Sequence, residues 1–73
     1  MKGEEKRIRE KIFFYMKQKL KCHLIKNDGF FLNGFFVEKE SQNILIFKDD
    51  KLGLIHLFIF DIKDIEDYRE TRI

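Results

Sequence analysis

Three lysines at alternating positions, Lys17, Lys19 and Lys21, and the phenylalanines Phe30, Phe31, Phe58 and Phe60 are the side chains best suited to chemistry with a partner. A lysine brings a compact positive charge that neutralises a phosphate without reading sequence. An exposed phenylalanine offers a flat face on which an unpaired base can stack. The run Glu40-Ser41-Gln42-Asn43 adds amides and a carboxylate able to bond the edges of single-stranded bases, and Asn33 places another amide near Phe31. Each group also has a plainer reading: a solvated helix face for the lysines and a hairpin turn for the polar run. Strand alternation sends Phe30 and Leu32 to one side and Phe31 and Asn33 to the other, so one of the two phenylalanines is expected in the core, with Phe31 the better stacking platform.

Little else suggests chemistry. His23 and His56 are far apart in sequence and show no metal-ligand spacing with Cys22, so each reads as a strand residue. The acidic pairs Asp49-Asp50 and Asp61/Asp64 fall in turn-like segments. Neither a glycine-rich phosphate loop nor a nucleophile paired with a base is recognisable. The expectation is a binding protein without a cofactor, not an enzyme.

The chain has 73 residues, enough for a single small domain. It is 44% hydrophobic and 38% charged, which places it among folded rather than disordered sequences. A single cysteine leaves no intrachain disulfide, the first ten residues are too charged for a secretory signal, and no apolar run is long enough to span a bilayer, so a cytoplasmic protein is expected. Charge is uneven: residues 1–26 carry nine Lys/Arg against three Glu, and residues 27–73 carry six against ten Asp/Glu. A basic first third suits an anionic partner such as nucleic acid.

The elements that must position these groups follow from periodicity. Ile8, Ile12, Tyr15, Met16 and Leu20 recur at helical spacing and predict a helix over Glu4–Leu20, with acids at its start and lysines at its end. Phe13 and Phe14 widen that stripe toward a sheet or a neighbouring subunit. Five short strands follow: Lys21–Lys26, Phe30–Glu40, Asn43–Lys48, Leu54–Phe60 and Ile65–Tyr68. Asn27-Asp28-Gly29 is a strong hairpin turn, Gly34 inside the second strand predicts a bend or bulge, and residues 61–64 predict a tight connection. The tail to Ile73 is expected to fray. The run Leu54–Phe60 has only His56 as a polar side chain, so it needs cover on both faces or along its edge. The fold class is mainly β with one N-terminal helix: a small open barrel of five strongly bent antiparallel strands.

The segment Gly29-Phe30-Phe31-Leu32-Asn33-Gly34 resembles the first signature of the Sm-like superfamily, with two glycines five residues apart and an apolar residue two before the second. Glu40 falls six residues beyond Gly34, where that signature is acidic, and Asn43 precedes the apolar run Ile44-Leu45-Ile46. The Hfq branch is the most similar, with Asn33 standing for a glutamine and Lys17-Gln18-Lys19 for its basic cluster before strand one. The resemblance extends over residues 8–67. Asn43 sits one residue closer to Gly34 than in Sm and Lsm proteins. Phe58-Ile59-Phe60 stands where both families carry the polar residues that hold a uridine.

This resemblance implies a cytoplasmic RNA chaperone acting in post-transcriptional regulation, a homo-oligomeric ring of about six or seven subunits closed by strand four of one copy against strand five of the next. It places Leu57, Phe58, Ile59 and Phe60 at the subunit interface. It places Glu40, Ser41, Gln42, Asn43 and Phe60 around an inner pocket for single-stranded RNA. Phe30, Phe31 and Asn33 would then lie on the opposite RNA-binding face, and Lys17, Lys19 and Lys21 on the rim. The alternative is an SH3-like or PRC-barrel-like module that docks proteins and leaves RNA alone, since strand content does not separate the two. A third reading, a membrane-surface module, suffers from a helix without a clean division between cationic and apolar faces.

Overall fold

Ile8, Ile12 and Tyr15 form the buried stripe of the helix that opens the fold. The computed structural model describes residues 2–68; the tail expected to fray lies outside them. Helix α1 spans Lys2–Gln18, and five strands follow: β1 (Cys22–Lys26), β2 (Phe31–Lys39), β3 (Ile44–Asp49), β4 (Gly53–Phe58) and β5 (Ile62–Asp67). The helix stops two residues before the expected Leu20. Lys19 takes a left-handed φ of 54°, and the amides of Lys19 and Leu20 turn back to the Met16 and Tyr15 carbonyls. This is a Schellman closure, with lysine in the place that glycine usually fills. Leu20 is consequently exposed and does not extend the apolar stripe.

All strand pairings are antiparallel, in the order β4-β3-β2-β1-β5. The sheet does not close: β4 and β5 each keep one edge unpaired among the described residues. The result is a small open barrel of the Sm-like (SH3-like) type. Its core joins the helix stripe to Cys22, Leu24, Leu32, Phe36, Leu45, Phe47, Leu57, Ile59, Ile62 and Ile65, with Phe36 and Phe47 packed edge-on at 5.0 Å. Lys11 anchors the helix to the β5 edge, donating from Nζ to Asp64 (2.9 Å) and to the Ile65 carbonyl (2.8 Å). Tyr15 donates its hydroxyl to Asp67. Among the described residues no helix is long and apolar enough to cross a membrane.

Gly34 and the bend of β2 are separate features. The bulge lies between Phe36 and Glu38, whereas Gly34 sits where the β3 backbone passes over β2 so closely that no side chain fits. The apolar run also divides differently from its sequence reading. Strand β4 ends at Phe58, and Ile59–Asp61 forms a 3-10 turn. Strand β5 starts at Ile62, so the expected connection at 61–64 is mostly strand. The chain must leave one edge of the sheet and reach the other within a few residues, and the turn is where it does so.

Candidate nucleic-acid interface

The β2–β3 loop and the turn after β4 are fastened together. Ile59 donates its amide to the Asn43 carbonyl at 2.8 Å, so residues of the expected inner pocket stand beside the 3-10 turn. Arg9 reinforces this from the helix, donating to the Gln42 carbonyl and to Asn43 Oδ1, each at 3.0 Å, while its Nε bonds Glu5 at 2.9 Å. The sequence reading missed Arg9, and only its place in a basic helix hinted at a role. Glu40 pairs with His56 Nε2 at 2.7 Å, tying the loop to the middle of β4. Ser41 and Gln42 leave their side chains exposed. Phe60 turns elsewhere. Its carbonyl accepts from Asn27 Nδ2 at 2.8 Å, and its ring is exposed beside a depression shared with Arg7, Asn27 and Lys63. Within one chain, therefore, Asn43 and the turn meet, but Phe60 does not cover the loop.

On the opposite face, both Phe30 and Phe31 are exposed, at 70% and 61%. The expectation that one of them is core fails because Phe30 precedes β2, and Leu32 takes the inward position. Phe31 and Asn33 share the outward side with His23 of β1. The Phe31 and His23 rings lie 5.1 Å apart at 44°, and His23 Nδ1 is 2.6 Å from Asn33 Oδ1. An open depression of about 620 Å³ is lined here by His23, Asn33, Glu66, Asp67 and Tyr68. His23 is the strand residue expected from the sequence, and the hairpin turn places it opposite Asn33, whereas Glu66 and Tyr68 were not singled out.

The lysine group is divided. Lys17 and Lys19 are exposed, and Lys17 lies over Phe13 at 5.6 Å. Lys21 is half-buried, paired to Asp50 at 2.6 Å and stacked over Tyr68 at 4.1 Å. The interface group divides as well. Leu57 and Ile59 are buried in the chain's own core, at 4% and 5% exposure, whereas Phe58 and Phe60 stand out from it. Leu54, part of the apolar run that was expected to need cover but not of the named interface group, joins Phe58 on the outward side of β4.

Titration behaviour marks structural groups here. Burial pushes the Asp49 carboxyl up, but the amides of Leu52, Lys51 and Asn33 more than offset that, and it ends below the usual carboxylate range. Asp64 behaves alike: burial raises it, while Lys11, the Ile65 amide and Arg7 bring it lower overall. Burial, aided by the charge of Asp67, pushes the Cys22 thiol up to about 12. Among the described residues, no group of three His, Cys, Asp or Glu converges as a metal would require. No protein-family model matches the chain, and no curated protein matches it.

Proposed function

We propose that the chain assembles into a homo-oligomeric ring through β4 and β5 and binds single-stranded RNA as an Hfq-type chaperone. One observation carries this reading: among the described residues β4 is an edge strand with one side unpaired, and its outward face holds exposed Leu54 and Phe58. An apolar strand edge left open is a template for another chain. A head-to-tail contact between two different edges closes into a ring when its rotation permits. Burying Leu54 and Phe58 against a neighbour contributes about 1.5–3 kcal/mol each, an upper estimate.

The RNA part rests on the union of the Asn43 loop with the 3-10 turn, on the exposed Phe31 platform and on the basic helix. A ring repeats each weak site, so avidity holds two RNAs near one another without a catalytic step. Native mass spectrometry followed by binding of short oligo-U and oligo-A at two salt concentrations tests both parts. A mass of several subunits and affinity that falls with salt are expected. A monomer that ignores RNA would instead favour the protein-docking alternative.

A further inference from the structure

The alternation of ladder bonds decides what each open edge of the sheet presents. In an antiparallel pair, residues bonded to one neighbour alternate with residues whose N–H and C=O point to the other side. Lys26 donates its amide to the Phe30 carbonyl, so the even-numbered residues of β1 bond β2 and the odd-numbered His23 and Ile25 face β5. Their partners Glu66 and Asp64 turn their backbone groups to β1, which leaves those of Ile65 pointing to the open side of β5. The same alternation, started from the bond between the Ile59 amide and the Asn43 carbonyl, directs the backbone groups of Leu54, His56 and Phe58 to the open side of β4.

The two open sides are not alike. Among the described residues, no side chain bonds the backbone of β4. On β5 the Ile65 groups are already taken: the amide donates to Asp64 Oδ1 at 2.8 Å, and the carbonyl accepts from Lys11 Nζ at 2.8 Å. Lys11 also bonds Asp64 at 2.9 Å, so one lysine and one carboxylate close both groups together. Arg7, Lys11 and Tyr15 recur every four residues and share one side of α1. Arg7 lies 3.7 Å from Asp64, and Tyr15 donates to Asp67. Helix α1 thus runs along the open side of β5, and Lys11 stands where a further strand would.

We propose that Lys11 is a latch on the β5 edge, which β4 of a second copy displaces before the two strands pair; the inference rests on the ring reading above and names what regulates that contact. An added strand needs the Ile65 N–H and C=O for its own ladder bonds. Lys11 and Asp64 hold both groups, and their side chains fill the space in which the backbone of that strand would run. Assembly therefore exchanges the Lys11 bonds for ladder bonds, which offsets part of the gain from covering Leu54 and Phe58. The latch protects the lone chain as well. An open edge pairs indiscriminately, and a charged lysine turned onto it keeps other strands away. The bare edge of β4 then pairs only with a β5 whose lysine has let go.

The test is sedimentation velocity with fluorescence detection, at concentrations diluted until the parent dissociates. Its readout is the midpoint, the concentration at which half of the protein is assembled. Lys11→Met keeps most of the apolar stem and removes the donor, and its midpoint is expected to fall about three- to tenfold below that of the parent. Lys6→Met makes the same change of charge at an exposed position, on the side of α1 shared with Glu10 and Phe13, and should keep the parent's midpoint. Asp64→Asn keeps the shape of its side chain and removes the charge that holds Lys11. It should move the midpoint in the same direction, and it replaces Lys11→Met if circular dichroism shows that variant unfolded. A folded Lys11→Met or Asp64→Asn protein whose midpoint equals or exceeds the parent's overturns the latch and leaves the ring reading standing. An equal fall in Lys6→Met, the mark of net charge alone, overturns it too. A parent and variants that stay monomeric at every concentration overturn both.

Discussion

Replacing Gly34 by alanine tests the packing of the whole sheet. A Cβ at this position would lie 2.8 Å from the Lys48 carbonyl carbon and 3.1 Å from Asp49 Cα, and closer still to the Lys48 oxygen. Ordinary carbon contacts need about 3.5–4.0 Å, so β2 and β3 must separate by roughly 1 Å. A ladder bond stretched by that amount is lost, and each is worth about 1 kcal/mol. The nearest register pairs are Gly34↔Asp49 and Phe35↔Lys48, and the next, Phe36↔Phe47, carries the core aromatic contact. Two lost bonds plus overpacking of about 1–3 kcal/mol give a destabilisation of about 3–5 kcal/mol. A domain of this size has only about 4–11 kcal/mol in total, so the variant should be close to unfolding. Urea denaturation followed by circular dichroism, at one protein concentration because assembly adds to stability, measures the effect. Gly3→Ala is the control: its Cβ meets nothing within 4 Å in the helix, and the change should be neutral or slightly stabilising. A Gly34→Ala protein within about 1 kcal/mol of the parent would refute the reasoning, because the clash is with backbone and cannot be relieved by a rotamer change.

Asp49 supplies a pH dependence. Its carboxyl is lower in the folded state than in the unfolded one, so its stabilisation is present above about pH 4 and disappears as pH falls through the folded value. Asp49→Asn should therefore lose about 1–3 kcal/mol at pH 7, with the gap to the parent closing in acid; a gap constant from pH 7 to 3 would contradict this. Phe58→Asp and Ile59→Asp should part company: the first, at an exposed position, keeps the fold and lowers the native mass, whereas the second buries a charge and unfolds the chain. A folded Phe58→Asp protein of unchanged native mass would sink the proposed interface. Cys22 should resist Ellman's reagent at pH 8 in the native protein and react once unfolded in urea, since it is fully buried and its thiol is pushed up to about 12. Rapid native labelling would show that the core opens around it.

Much of the fold was legible because its cues are local. Helical spacing marked Ile8, Ile12 and Tyr15, and all three are buried. The turn at residues 27–29 joins β1 to β2, and alternation along a tight hairpin then dictates the pairs Leu24↔Leu32 and His23↔Asn33. The outward neighbours Asn33 and His23 could thus be read from the chain. The neighbour of His23 on its other side could not, because Glu66 reaches it only through the non-consecutive pairing of β5 with β1. The continuous apolar run misled for a related reason: it has no period, so nothing in it marked the change from β4 to the 3-10 turn.

The order of residues was enough to determine one helix and five strands, the buried stripe of that helix and its basic character, since propensity, periodicity and charge act between near neighbours. Three matters required the assembled fold. They are which strands become edges, which phenylalanines stay uncovered, and which distant groups meet, as Arg9 meets Asn43. Each depends on contacts between residues far apart in the chain. Such contacts form only when the whole sheet bends around one core, and no short segment encodes them.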